Sequence, residues 1–353
     1  MTTARKAFVV TAVGVGVVAV ALALWKIRVV IALFFVAVTI AAAMRPGVEA
    51  LQTRRVPRPA GVLLHYFALL GVVALLLWLI VPQAVSQVEQ ALGGTGTHTE
   101  PQQAAAHASG LEHQFLVGLD RRLHHLPSGS ALIHPAITIT KTALEVLAGI
   151  LFTLAVAAYW IFERTRAEDL VLSLLPRRNR RTARDTWNLI DAKLGAFVRG
   201  QLLMIGFVST VLSGAFWALG LPYWLLLGVF AGIVEMVPVV GPLAAGGLAI
   251  AVALATQGWE TGVLTAVVVY GLRLLQDYVI NPRVLGHAVG LSPLIVLVTV
   301  SVVALLLGPF YVLLSVPLAA VLATVVDVLV RDRDPADEST PTVIFPSKER
   351  RLA

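Results

Sequence analysis

The sequence predicts an all-α integral membrane protein with about eight transmembrane helices, a re-entrant helical hairpin and an extracytoplasmic helical insertion. Three observations carry that prediction. The 353 residues are 58% hydrophobic and 13% charged, whereas soluble domains are roughly 45–50% apolar and about 25% charged. Apolar runs close to the ~20 residues that a bilayer core requires recur along the chain. Finally, helix breakers and charges interrupt the apolar C-terminal part in two strings, Glu235-Met-Val-Pro-Val-Val-Gly-Pro242 and Asp277-Tyr-Val-Ile-Asn-Pro-Arg-Val-Leu-Gly286, the second continuing to Gly290-Leu-Ser-Pro293. Broken backbone at membrane depth leaves polar groups unpaired, so it is tolerated only where protein buries it or a wet cavity receives it.

The N-terminal block, 1–81, holds the candidate spans 8–25, 29–44 and 61–81. Phe8 to Trp25 follows Arg5 and Lys6 and contains Ala21-Leu-Ala23, which resembles a cleavage site. A signal-peptide apolar region runs only ~7–15 residues, and here a second span starts at once, so this segment is expected to remain as the first helix. Residues 82–141 are an extracytoplasmic insertion, broken at Gly93-Gly-Thr-Gly96, with Leu111, Phe115, Leu119, Leu123 and Leu126 at the spacing of amphipathic helices. A fourth span occupies 142–162.

Residues 163–200 form a basic, amphipathic cytoplasmic linker. Arg177-Arg-Asn-Arg-Arg181 precedes Trp187, Ile190, Leu194 and Phe197 on one helical face, a pattern suited to an interface rich in anionic lipid. The C-terminal core, 201–330, contains spans 201–221, 260–280, 291–307 and 309–330. Between them, Pro222, Pro238 and Pro242 cut 222–257 into two pieces of about 16 residues, short for independent crossings and better read as a hairpin. Gly228 and Gly232, at GxxxG spacing, would let its two arms approach closely. The tail, 331–353, mixes charges with Pro and Ser and is expected to be disordered.

Charge sets the orientation. Segments 1–7, 45–60, 163–200, 281–290 and the tail carry 21 Lys and Arg residues, whereas 26–28 and 82–141 carry five. The positive-inside rule then places both termini in the cytoplasm. The net charge of +7 is spread between apolar runs rather than gathered on a soluble face, so nucleic acid is not an expected partner. The bilayer is.

The chain has no Cys, which removes disulfides and thiolate metal sites. His98, His107, His113, His124, His125 and His134 cluster in the insertion without compact ligand spacing and read as a solvated segment. No nucleophile elbow, Walker loop, His-Glu-x-x-His or catalytic carboxylate pair is present, so neither an enzyme nor a cofactor is expected. Uphill transport would need an ion gradient rather than a nucleotide.

Charges at membrane depth are costly, which makes them functional candidates. Glu235 stands at the hairpin tip, where it would bind a proton or cation; the alternative is a solvated or neutralised interfacial carboxylate. Arg273 and Asp277 are four residues apart on one helix face, with Gln276 and Asn281 adding amides. They would hold a polar solute or exchange a proton, or else form a self-neutralising structural pair. Pro238, Gly241 and Pro242 would gate through the hairpin, and Pro282, Gly286, Gly290 and Pro293 would make a second broken element.

These residues resemble the AI-2E transporters, the family of autoinducer-2 exporters and PerM-like permeases. The resemblance rests on Gly195 with Arg199-Gly-Gln201, Glu235 with Pro238 and Gly241-Pro242, Asn281-Pro-Arg283, Gly286, Gly290-Leu291, Pro293 and Pro317-Leu-Ala-Ala320. It implies a bacterial cytoplasmic-membrane protein that exports a small polar solute. It also implies sodium/proton antiport in some members, and self-association, with a pentamer in keeping. Ser292, where many relatives carry His, and Val303-Ala-Leu-Leu-Leu-Gly308 depart from the family pattern. A non-transporting membrane scaffold is the remaining alternative.

Overall fold

A computed structural model of the chain describes residues 3–93, 133–238, 240–280 and 293–338. Most of the outer insertion, the string from Asn281 through Ser292 and the tail beyond Glu338 lie outside the described residues, and with them Pro282, Gly286 and Gly290 and five of the six clustered histidines. Among the described residues every regular element is helical. In chain order they are α1 (Thr3–Lys26), α2 (Arg28–Thr53), α3 (Arg58–Gly93), α4 (Ile133–Ser173), α5 (Arg180–Ala218), α6 (Trp224–Val234), α7 (Val240–Gln257), α8 (Trp259–Leu275), α9 (Pro293–Leu307), α10 (Pro309–Val312) and α11 (Ser315–Leu329). The chain divides into two compact units, residues 1–68 with 152–353, and residues 69–151. The account below concerns the first.

Among the described residues, five stretches are long and apolar enough to cross a bilayer: Arg28–Thr53, Leu144–Ser173, Arg177–Ala218, Val240–Gln257 and Trp259–Ile280. The helix surfaces are inverted relative to a soluble protein. Leu305 is 85% exposed and Leu243 71%, while Thr265 and Ser315 are fully buried. Thr265 donates its hydroxyl to the Thr261 carbonyl of its own helix and Ser315 to the Val312 carbonyl at the end of α10, so burial leaves no orphan donor. An apolar exterior of this extent marks a surface meant for lipid or partner helices. The chain is a multi-pass membrane protein.

Several expected boundaries differ. The 163–200 linker and the 201–221 span are not separate elements, because α5 runs unbroken from Arg180 to Ala218. Its 39 residues extend about 58 Å at 1.5 Å per residue, well beyond a hydrocarbon core of ~30 Å, so part of α5 projects from the membrane. In the face with Trp187, Ile190, Leu194 and Phe197, expected to lie on lipid, one residue is buried and three are half-buried. Leu194 is buried and Trp187 stacks on Trp160 of α4 with centroids 6.2 Å apart. The last expected span, 309–330, is interrupted between α10 and α11. At the start of the tail, residues 331–338 are described, and Lys193 of α5 donates to Glu338 Oε1 at 2.8 Å and to Thr324 Oγ1 at 3.0 Å.

The core that positions the hairpin joins α5, α6, α7 and α8. Val208, Leu212 and Phe216 from α5 meet Leu227 and Ala231 from α6, Leu272 from α8, and Ala245, Ala249 and Ala253 of α7. The last three recur every fourth residue, a narrow stripe that brings backbones close. Gly228 and Gly232 serve a different neighbour from the one expected. A Cβ on Gly228 would lie 2.2 Å from Ser213 Oγ, and one on Gly232 would lie 2.0 Å from Ser209 Oγ and 2.6 Å from the Ile205 carbonyl. They press α6 against α5 rather than against the other arm. Gly232→Ala should therefore lower stability by about 1–3 kcal/mol, whereas Gly247→Ala, with no atom within 4 Å of its Cβ, should be neutral or stabilising by up to ~1 kcal/mol. Thermal unfolding in detergent compares them; equal effects would contradict this packing.

Candidate functional site

The site begins where α6 runs out. Glu235 still donates its backbone N–H to Ala231 in helical fashion, Val237 donates to Val234, and Pro238, which has no N–H, ends the pattern. Val240 then donates to the Pro238 carbonyl at 2.7 Å and Gly241 to Val237 at 2.9 Å, so backbone groups at the tip are satisfied locally. Gly241 is obligatory for this closure. A Cβ there would stand 1.9 Å from the Val234 carbonyl oxygen, so any side chain would force α7 away from the end of α6.

That turn aims Glu235 at the end of α8. Arg273 occupies the last turn of α8, and a single π-helical turn, Gln276–Ile280, follows. The wider turn carries one more residue per hydrogen-bonded ring than an α-turn, and such turns recur at functional positions. Here it turns Gln276 inward, 3% exposed, while Asp277 stays half-exposed. Arg273 Nη1 and Gln276 Nε2 both donate to Glu235 Oε1, each at 3.3 Å. Arg273 Nε reaches Asp277 Oδ2 at 2.9 Å. One guanidinium is thus shared between two carboxylates on different elements, the shorter link running to Asp277.

Glu235, Arg273, Gln276 and Asp277, separated by about forty residues in sequence, are therefore brought together. Pro238, Gly241 and Pro242 lie beside them at the hairpin tip, and α9 starts at Pro293. Asn281, Pro282, Gly286 and Gly290 lie outside the described residues. The arrangement is a shared ion pair: one guanidinium and one amide serving two carboxylates. The formal charge of Glu235, Arg273 and Asp277 together is −1.

A second polar assembly escaped the sequence reading, which treated its charges as orientation signals. Arg164, 9% exposed, donates through Nε to Asp191 Oδ2 at 2.6 Å, through Nη1 to Glu168 Oε2 at 2.9 Å and through Nη2 to Asn188 Oδ1 at 2.7 Å. Arg45 of α2 links Glu49 at 2.7 Å to Asp191 at 3.1 Å, and Arg184 adds a bond to Glu168 at 3.0 Å. This network binds α2, α4 and α5 to one another. Two cues were available: Arg164 and Glu168 stand four residues apart, and Asp191 interrupts an apolar face.

With this geometry in place, the comparisons with known proteins are specific. The AI-2E family transporter profile matches residues 15–331. The chain belongs to the AI-2E transporter family. It is 24% identical to MT0215 of Mycobacterium tuberculosis over 88% of this chain and 86% of that protein, and 24% identical to YueF of Bacillus subtilis over 78% of each. YrrI of Bacillus subtilis is 28% identical over 38% of this chain, a match spanning 37% of that protein. All three bear the name "putative transport protein". The fold, the family and these relatives define a membrane transporter.

Removing one partner from a buried ion network strands the others, at about 3–5 kcal/mol. Asp191→Asn should accordingly lower stability by roughly 3 kcal/mol, and Glu235→Gln by about 1 kcal/mol or less because its donors are long and Arg273 keeps Asp277. Thermal unfolding of the two variants in the same detergent ranks them; the reverse order would contradict the division between a structural network and an exchangeable site.

Proposed function

We propose that the protein is a secondary transporter or facilitator that moves a small polar solute, of the autoinducer-2 kind, or an ion outward across the cytoplasmic membrane. In this reading eight spans place both termini in the cytoplasm, and residues 222–257 form a re-entrant hairpin whose tip enters the lipid. Glu235, Arg273, Gln276, Asp277 and Asn281 line the solute path. Pro238, Gly241 and Pro242 form one gate, and Pro282, Gly286, Gly290 and Pro293 the facing broken element. Transporter sites commonly lie where helices are discontinuous. Copies of the chain assemble as a homo-oligomer, a pentamer being the arrangement the family resemblance implies.

The observation that supports this best is the guanidinium of Arg273 divided between Glu235 and Asp277. A proton or cation bound at Glu235 would weaken its hold on Arg273 and leave that side chain to Asp277 alone. The hairpin and α8 would then lose a tie, so occupancy would bias the position of the hairpin. A packed element with two discrete partners is the kind of device that converts a local charge change into a gate.

The same observation favours a cation/proton antiporter as the second reading. With two carboxylates to one guanidinium, Glu235 and Asp277 would be obligatory for exchange. In proteoliposomes containing the purified protein, Glu235→Gln and Asp277→Asn should each cut solute or cation-dependent proton flux by about tenfold or more, the equivalent of ~1.4 kcal/mol, with thermal unfolding nearly unchanged. Flux equal to that of the unaltered protein in both variants would remove this site from the mechanism. Absence of any flux from the unaltered protein, across a metabolite and ion screen, would leave a membrane scaffold as the function.

A further inference from the structure

The buried charged side chains among the described residues are Arg164, Glu168, Asp191 and Lys193. The first three are paired with one another on α4 and α5. Lys193, 4% exposed, instead takes its counter-charge from Glu338 Oε1 at 2.8 Å, on the segment that follows α11. Thr324 Oγ1 also accepts from Lys193, at 3.0 Å, but it is neutral and donates its own proton to the Ala320 carbonyl at 2.8 Å. We propose that residues 331–338 are an electrostatic latch: Glu338 seated on Lys193 clamps this segment onto α5, and rising ionic strength releases it.

The strap is built to hold itself more than to pack. Arg331 Nη1 donates to Asp327 Oδ1 at 2.8 Å and the Arg333 N–H donates to the Asp327 carbonyl at 3.1 Å, so the end of α11 anchors its root. The chain turns through Asp332 at φ 50, in the left-handed region that Asp tolerates. Asp334 then folds a local turn, its Oδ1 accepting from the Ala336 N–H at 2.9 Å and its carbonyl from the Asp337 N–H at 3.2 Å. Seven of the eight residues are exposed and Pro335 alone is buried. Beyond its root, and apart from Pro335, the strap is fastened to the bundle by the Glu338 carboxylate.

Segments with few buried apolar contacts open locally, well before the whole molecule unfolds. Opening here loses little apolar burial, and its cost is electrostatic, because it strands the ammonium of Lys193 until water reaches it. In the closed form burial shields the pair. In the open form both charges meet solvent ions, so added salt favours opening. Lys193 stands just past Asp191, on the same unbroken helix as Ser209 and Ser213, against which α6 is pressed. The latch thus grips the helix that carries the hairpin, and opening it frees α5 from the segment after α11.

Hydrogen exchange of the detergent-purified full chain, read by mass spectrometry on peptides covering 331–338, tests the latch. Exchange there should quicken about tenfold or more in Glu338→Gln and in Lys193→Met. High potassium chloride should quicken it in the unaltered protein, while Asp337→Asn, an exposed neighbour, should leave it slow. Lys193→Met removes the charge that would be stranded, so its thermal unfolding should match that of the unaltered protein, which separates release from misfolding. Salt should add nothing further in Lys193→Met, where no latch remains. Equal exchange in the unaltered protein and both variants, or a salt effect undiminished in Lys193→Met, would overturn the proposal. In proteoliposomes Lys193→Met should raise flux about twofold or more, because a restraint on α5 is gone. That arm alone rests on the transport reading: flux absent from both proteins counts against that reading, and unchanged flux beside faster exchange counts against control by the latch.

Discussion

Charge buried between helices has to be paired, and this constraint organises the molecule. Burial strips a carboxylate or guanidinium of water, so each buried charge recruits partners, many from other helices, and those partners fix how the helices sit. Arg164 draws Asp191 of α5 and Glu168 of its own helix together, and Arg45 extends the tie to α2. Lys193, 4% exposed, finds Glu338 after the last helix. Where partners are short and numerous, the element is locked. Where one partner is shared, it is poised.

That contrast separates the two polar assemblies. Around Arg164 the hydrogen bonds are 2.6–2.9 Å, and Arg164, Glu168 and Asp191 each have two or more charged partners, which suits a permanent girder. Around Glu235 both donors stand at 3.3 Å and converge on one oxygen, while Arg273 leans toward Asp277. The backbone beneath reinforces the difference. Glu235 sits on a turn that Pro238 ends and Gly241 closes, and Gln276 and Asp277 sit on a π-turn, whereas Arg164 and Asp191 sit on uninterrupted α-helix.

Much of the candidate site could be read from the residues. Proline and glycine among apolar neighbours mark a break in either context, and an i, i+4 Arg–Asp pair faces one way on any helix, so the break at Pro238 and the 273–277 pair followed from composition and spacing, whereas the contact between them did not. Helix packing partners could not be read in this way. Gly228 and Gly232 show that a close contact is needed, but not that it is with Ser209 and Ser213 of α5. Likewise the amphipathic face of Trp187 and Leu194 has a clear period, yet a period states that a face is buried without naming what buries it. Asp191 illustrates the same limit, because its partner Arg45 lies 146 residues away and no local pattern links them.

The central claim is that Glu235, Arg273 and Asp277 meet in a hydrated passage within the lipid. Because the chain contains no cysteine, a single introduced thiol reports on its own surroundings: thiolate forms and reacts only where water reaches it. Met236→Cys, next to Glu235, should react with a small membrane-impermeant thiol reagent in sealed vesicles. Its rate should fall between those of Arg333→Cys in the tail and Tyr270→Cys on the outer face of α8, and should change when the transported ion or solute is added. Reaction as fast as at Arg333→Cys and indifferent to any solute, or no reaction at all, would contradict it.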